Sequence, residues 1–236
     1  MNLLLLDPAQ IDPDGRAQVA GPALVHVREV LGKDLGATLR VGVLGGRRGH
    51  AAVVASTREA LELMCTFDED SPPKRPVELV LALPRPPVLR RLLAHVTAMG
   101  VQRIVLCHSA RVEKSYWGSP ALHSAEIDAH VRLGLEQACD TIPPQVEIRM
   151  KLRPFVEDEL ASRLDARRLV ADPTGGAACP CDVEGPLVIA VGPEGGWVPV
   201  ELGLWAEAGF ECVHLGPRIL RVETALIAVL ARLGVA

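Results

Sequence analysis

The chain has 236 residues, 49% apolar and 23% charged, a balance that builds a buried core and excludes a disordered or low-complexity class. Its formal net charge of −4 excludes nucleic-acid binding by bulk positive charge. No apolar run nears the roughly 20 residues of a membrane helix, and Leu3–Leu6, without a basic flank and followed by Asp7-Pro8, is no secretory signal, so a cytoplasmic protein is expected. Residues 1–70 then read as a small β domain. Ala23–Leu31 carries apolar residues at mixed spacing, Thr38–Val43 alternates between glycine turns, and His50–Ala55 and Glu59–Phe67 are further strand candidates. Short, regularly spaced strands suggest a barrel or a sandwich. Asp68–Pro76 is charged, Pro-rich and aperiodic, and reads as a linker.

Beyond the linker, strands and helices alternate. Leu79–Leu83 is a buried-type strand. Val88, Leu89, Leu92, Leu93, Val96 and Met99 share one helical face, with Gly100 as the stop. Ile104–Cys107 is the next strand, Leu122–Ala138 a helix, Val146–Lys151 a strand, Phe155–Leu164 a helix and Leu169–Ala171 a short strand. Leu187–Val191 and Cys212–Leu215 complete the series. The pattern predicts an α/β domain with a mostly parallel sheet and helices on both faces.

Cys65, Cys107, Cys139 and Cys212 each stand alone inside apolar segments, as buried cysteines do. Cys179-Pro180-Cys181 lacks a second ligand pair at zinc spacing, so no metal site is expected. Local basic groups, among them Arg47-Arg48, Arg111 with Lys114, and Arg218 with Arg221, permit an RNA partner without requiring one.

Two loops near the C-terminus carry the chemistry. Gly192-Pro193-Glu194-Gly195-Gly196 follows a continuous apolar strand, at the strand end where open α/β sheets place ligands. Its glycines allow positive φ and close approach to a ligand. The next helix starts near Pro199 and presents Leu202, Trp205 and Ala208 to a core. The loop is neither a Walker A nor a G-x-G-x-x-G motif. The second loop, Gly216–Arg221, precedes Ala225–Leu233, a helix apolar nearly all round and therefore buried in the domain or against another subunit. Arg218 and Arg221 beside it need carboxylate, phosphate or carbonyl partners, with Glu223 as an internal candidate.

These residues resemble the RsmE-type 16S rRNA (uracil-N3)-methyltransferases of the SPOUT superfamily: Gly192–Gly196, then Leu215-Gly216-Pro217-Arg218-Ile219-Leu220-Arg221, then Glu223-Thr224-Ala225. The order and separation of the two loops carry the likeness. Weaker echoes are His26–Leu31 at the family's N-terminal signature, Met99-Gly100-Val101 and Gly134-Leu135-Glu136-Gln137-Ala138. The resemblance implies a PUA-like β-barrel that binds RNA over 1–70, followed by a trefoil-knotted methyltransferase domain over 71–236. It also implies a homodimer. S-adenosylmethionine would lie against Ala171, Asp172, Pro173, Val191, Gly192, Gly195, Gly196, Leu215, Gly216, Ile219 and Leu220. The implied substrate is 16S rRNA in the 30S subunit, by default uridine 1498 in the family's usual nucleotide numbering. The implied catalytic residues are Arg221, Arg218 and Glu223, with neither metal nor membrane involved.

The reaction asks N3 of uracil to lose a proton and share negative charge with O2 and O4. Arg221 can donate to those oxygens but stays protonated and cannot be the base. Glu194 and Glu223 are candidate bases, each with an equally good structural role. Departures from the family pattern are Val222 in place of Thr, Val198 in place of a capping Ser or Thr, Asp140-Thr141 where an Arg is usual, and Pro84-Arg85-Pro86-Pro87 without an obvious basic counterpart. Two other readings stay open: a SPOUT methyltransferase with another RNA site or base, and a non-enzymatic ribosome-assembly or RNA-binding factor.

Overall fold

The computed structural model describes residues 2–160 and 165–235, without the side chain of Val30, and the counts below refer to these. In chain order the elements are β1 (Leu4–Leu6), β2 (Arg16–Ala20), α1 (Gly21–Val25), β3 (Thr38–Val43), β4 (Arg48–Ser56), β5 (Ala60–Glu69), β6 (Arg75–Ala82) and α2 (Pro86–Ala98). There follow β7 (Val101–Cys107), α3 (Ser124–Ala138), β8 (Gln145–Arg149), α4 (Leu152–Pro154), β9 (Arg167–Ala171), β10 (Ala177–Ala178), β11 (Leu187–Val191), α5 (Pro199–Glu207), β12 (Glu211–His214) and α6 (Val222–Arg232). Two compact units emerge. One holds Met1–Pro72 together with Arg132–Pro143; the other holds Pro73–Val131 and Pro144–Ala236.

The first unit is a five-stranded mixed sheet in the order β1-β3-β4-β5-β2, a half-barrel compatible with a PUA-like domain. Alternation decides its faces: along β4, Gly49, Ala51 and Val53 are buried while His50, Ala52 and Val54 point out. Ala51 pairs with Cys65, Val53 with Leu63, and Leu61 with Val19, so cross-strand apolar pairs make the core. The register shifts at Gly49, where a Cβ would collide with the Thr66 carbonyl. β1 and β2 lack a readable signal because the first is three residues long and the second alternates with only two buried positions. The mixed spacing of Ala23–Leu31 resolves as α1, opened by Pro22, and a π-type turn over His26–Val30.

The returning segment completes this unit. Arg132 donates to the Leu5 carbonyl at 2.7 Å and pairs with Asp7, while the amides of Asn2 and Leu3 each donate to the Glu136 carbonyl at 3.1 Å. Cys139, at φ +54°, ends α3. Buried Asp140 then accepts the amides of Thr141 at 2.7 Å and Ile142 at 3.0 Å, and buried Thr141 donates to the Gly46 carbonyl. The Asp140-Thr141 departure thus stops a helix and ties it to the β3–β4 turn.

The second unit is a seven-stranded parallel sheet in the order β10-β12-β9-β11-β6-β7-β8. All five residues of β11 are buried, so the sheet is covered on both faces there. Val88, Leu89, Leu92, Leu93 and Val96 of the expected apolar face of α2 are buried, Met99 is half-buried just past the end of the helix, and Gly100 follows at φ +78°. Most predicted elements match within a few residues. The helix expected over Phe155–Leu164 is instead α4 followed by a π-type turn over Phe155–Leu160, and 161–164 lie outside the described residues. β11 sits between β6 and β9, and β12 between β9 and β10, so the last two strands are inserted among earlier ones.

All six cysteines are free. Burial pushes the Cys65 thiol up to about 11, helped by Asp12, and raises Cys107, Cys179 and Cys212 as well, which makes them poor nucleophiles at neutral pH. No described helix is long and apolar enough to cross a membrane.

Candidate active site

β12, β9 and β11 are adjacent and parallel, so their carboxyl ends at His214, Ala171 and Val191 share one edge of the sheet. A loop leaves each end. After β9, buried Asp172 donates its amide to the Val213 carbonyl at 3.0 Å, and its carboxylate accepts the Thr174 amide at 2.8 Å and the Thr174 hydroxyl. After β12, His214 Nδ1 accepts the Gly216 amide at 3.1 Å, and Gly216 turns the chain at φ +118°.

The loop after β11 is a tight turn closed by the Gly196 amide on the Pro193 carbonyl at 2.8 Å, with Gly196 at φ +71°. Gly195 does not need positive φ. Its role is proximity: a Cβ there would meet the Arg111 side chain at 3.0 Å, and Arg111 donates to the Gly195 carbonyl. Glu194 accepts the Arg85 amide at 3.0 Å, which ties this loop to the start of α2 and gives the Pro84–Pro87 segment a backbone partner here. Val198 opens α5 without a capping oxygen. Glu201, 8% exposed, instead accepts the amides of Val198 at 2.9 Å and Ala110 at 2.8 Å and the Ser109 hydroxyl at 3.4 Å.

The three loops and α5 enclose a cavity of about 480 Å³. All the residues expected to hold the cofactor line it: Ala171, Asp172 and Pro173; Val191, Gly192, Gly195 and Gly196; Leu215, Gly216, Ile219 and Leu220. Arg218 and Val222 line it too, whereas Arg221 and Glu223 are not among its lining residues. The expected pairing of Glu223 with Arg218 or Arg221 is replaced by an ion pair with Arg91 at 2.9 Å. Its own backbone amide, then Arg91, holds the Glu223 carboxyl below the usual carboxylate range. Arg218 and Arg221 are exposed, and among the described residues their guanidinium groups make no hydrogen bond or close ion pair, although the Arg221 charge adds to that of Arg91 in holding Glu223 low. Sequence reasoning missed Arg111, Thr174, Trp197 and His214 on the wall. Arg111 reaches Gly195 from 84 positions away, a contact that no local pattern announces.

The RNA methyltransferase domain family matches residues 71–234. The ribosomal RNA small subunit methyltransferase E of Treponema pallidum is 32% identical over 218 residues, covering 87% of this chain and 80% of that protein. The chain belongs to the ribosomal RNA small subunit methyltransferase E family. Its Mycobacterium bovis member is 27% identical over 240 residues, covering 95% of this chain and 88% of the relative. A family member from Neisseria gonorrhoeae, solved bound to S-adenosyl methionine, superposes with a TM-score of 0.72 at 25% identity over 98% of this chain and 95% of that one. The cavity suits such a group: its volume lies in the range of roughly 300–1,000 Å³ usual for cofactors. It offers backbone amides and carbonyls beside aliphatic walls at Val191, Leu202, Val213, Leu215 and Leu220.

Proposed function

We propose that this chain is an S-adenosylmethionine-dependent methyltransferase that modifies N3 of a uridine in 16S rRNA of the small ribosomal subunit, uridine 1498 being the first to test. The observation that carries the reading is the cavity at three adjacent strand ends, lined by both Gly-Pro loops. Family membership supplies the reaction class. In this reading the second unit, from about residue 71, is a SPOUT trefoil-knot domain. The insertion of β11 and β12 among earlier strands is compatible with a threaded backbone. The first unit, built on 1–70, is the PUA-like RNA-binding domain, and the molecule works as a cytoplasmic homodimer without metal.

The backbones of Ala171–Pro173, Val191–Gly196 and Leu215–Leu220 would hold the cofactor. Bound there, it supplies a methyl group on positively charged sulfur. The protein must then stabilise a uracil that has lost its N3 proton. Arg218 and Arg221, exposed and with no guanidinium donor spent on a hydrogen bond among the described residues, donate to O2 and O4 where that charge develops. Glu223 takes its ion pair from Arg91 and feels the Arg221 charge only at longer range, so it serves to position the start of α6. Of the two carboxylates, Glu194 lines the cavity and keeps one oxygen free of the Arg85 amide, which makes it the better candidate for proton acceptor.

The test is Arg221→Ala, assayed for methyl transfer to 30S subunits from cells lacking this protein, with cofactor affinity read by calorimetry. The expected result is a fall of about 100-fold or more in turnover with cofactor binding kept. Full activity in the variant removes the role given to Arg221, and wild-type protein that leaves the nucleosides of those subunits unmodified removes the reading itself.

A further inference from the structure

The segment after β7, His108–Gly118, buries Ser109 and Val112 and lends Arg111 to the cavity wall, while its tip over Lys114–Gly118 enters neither the cofactor reading nor the core. It leaves the sheet beside β6, whose following turn is bonded to Glu194 of the cavity. Its root is anchored three times: Glu201 accepts the Ala110 amide and the Ser109 hydroxyl, and Arg111 donates to the Gly195 carbonyl. The loop is therefore held in place relative to the wall of the cavity, and Arg111 is itself part of that wall.

Its tip carries two aromatic residues in a chain with only seven. Trp197, Trp205, Phe155 and Phe210 are buried, and Phe67 packs against the core of the first unit. Tyr116 and Trp117 are the only ones in the second unit that stay partly exposed, on a short 3-10 turn over Lys114–Gly118. Trp117 is oriented by its indole N–H, which donates to His108 Nδ1 at 3.1 Å with the rings 5.9 Å apart. The Tyr116 hydroxyl has no hydrogen-bond partner among the described residues. Lys114 beside them is exposed. Aromatic faces interleaved with cations on an anchored loop are the means by which proteins hold unpaired RNA bases.

We infer that the Lys114–Trp117 tip is a stacking platform for a nucleobase of the substrate RNA next to the methyl acceptor, with Lys114 on its phosphate. Neither aromatic lines the cavity, so the base they receive flanks the reacting one. The inference rests on the reading of this chain as an rRNA methyltransferase and names how that site grips its strand.

Tyr116→Leu keeps bulk and removes the π-face; Tyr116→Phe keeps the face. With 30S subunits as substrate, Tyr116→Leu should raise KM about tenfold, the loss expected for one stacked base, while Tyr116→Phe stays near wild type. Melting temperature and cofactor affinity should not move in either. A KM for Tyr116→Leu equal to wild type, or a loss confined to cofactor affinity, overturns the platform. A second measurement does not depend on methylation: tryptophan emission during titration with protein-free 16S rRNA. Saturable quenching that disappears in Trp117→Phe supports the platform, and quenching unchanged in that variant overturns it. If wild-type protein is quenched but methylates nothing, the assigned reaction falls and the platform stands.

Discussion

Glu136 sits in the first unit with its carboxyl pulled out of water, and burial raises it above its ordinary value of 4.5, with the Leu5 amide and Arg132 only partly offsetting the loss of hydration. A carboxyl raised by folding favours the folded state while protonated. Its contribution is complete below the unfolded value and is lost as pH climbs through the folded one. Glu136→Gln keeps an acceptor for the Leu5 amide and has no charge to bury. Its melting temperature should exceed wild type at pH 7 and converge with it near pH 4, followed by thermal unfolding across that range. A variant less stable than wild type at pH 7 would show that the charge is better paired than its burial indicates. Glu223 has the opposite sign, being held low by its own amide and by Arg91. In the sequence both glutamates are visible as parts of motifs. What each one faces is not, because Leu5 and Arg91 are each more than a hundred residues away.

At the scale of elements, α5 replaces a missing cap with a longer-range device. Val198 has no side-chain oxygen, and Glu201 takes up its amide together with two donors from the loop after β7. Glu201→Ala leaves three donors without their acceptor, at a cost of about 1–3 kcal/mol for buried Ser109 and less for the Val198 and Ala110 amides, which water can reach. Denaturant unfolding should show that loss, and calorimetry should show weaker S-adenosylmethionine binding, since the Gly192–Gly196 turn and the β7 loop would no longer be held together. An unchanged cofactor affinity would mean that Arg111 suffices to hold the two. β11 was legible because five buried residues run unbroken before a Gly-Pro turn, and α2 because its apolar face repeats with helical period. β10, two residues long, has no period to read, and β1 gives three leucines without alternation. The cofactor wall was legible where it is backbone at strand ends. It was hidden where a side chain arrives from elsewhere, as Arg111 does.

For the whole molecule, the first unit is discontinuous in sequence, because Arg132–Pro143 returns to it after β6, α2 and β7 have been laid down. A cut at a linker near residue 70 looks natural from composition, but it strips the half-barrel of Arg132, of the Glu136 carbonyl and of Thr141, which bond Leu5, Asn2, Leu3 and Gly46. A fragment spanning 1–72 should therefore lack a cooperative thermal transition or melt well below the full chain, as followed by circular dichroism. A fragment as stable as the intact protein would show that the returning segment is dispensable.

The order in which the parallel sheet is completed bears on how the protein is made. A nascent chain that has not yet delivered Leu187–Val191 leaves β6 and β9 with unpaired edges where β11 belongs, and one without Glu211–His214 leaves β9 and β10 apart. Open strand edges are adhesive, so a polypeptide released early from the translating ribosome would present the surfaces that chaperones and proteases clear. The cofactor cavity, which needs the ends of both late strands, cannot form on such a remnant.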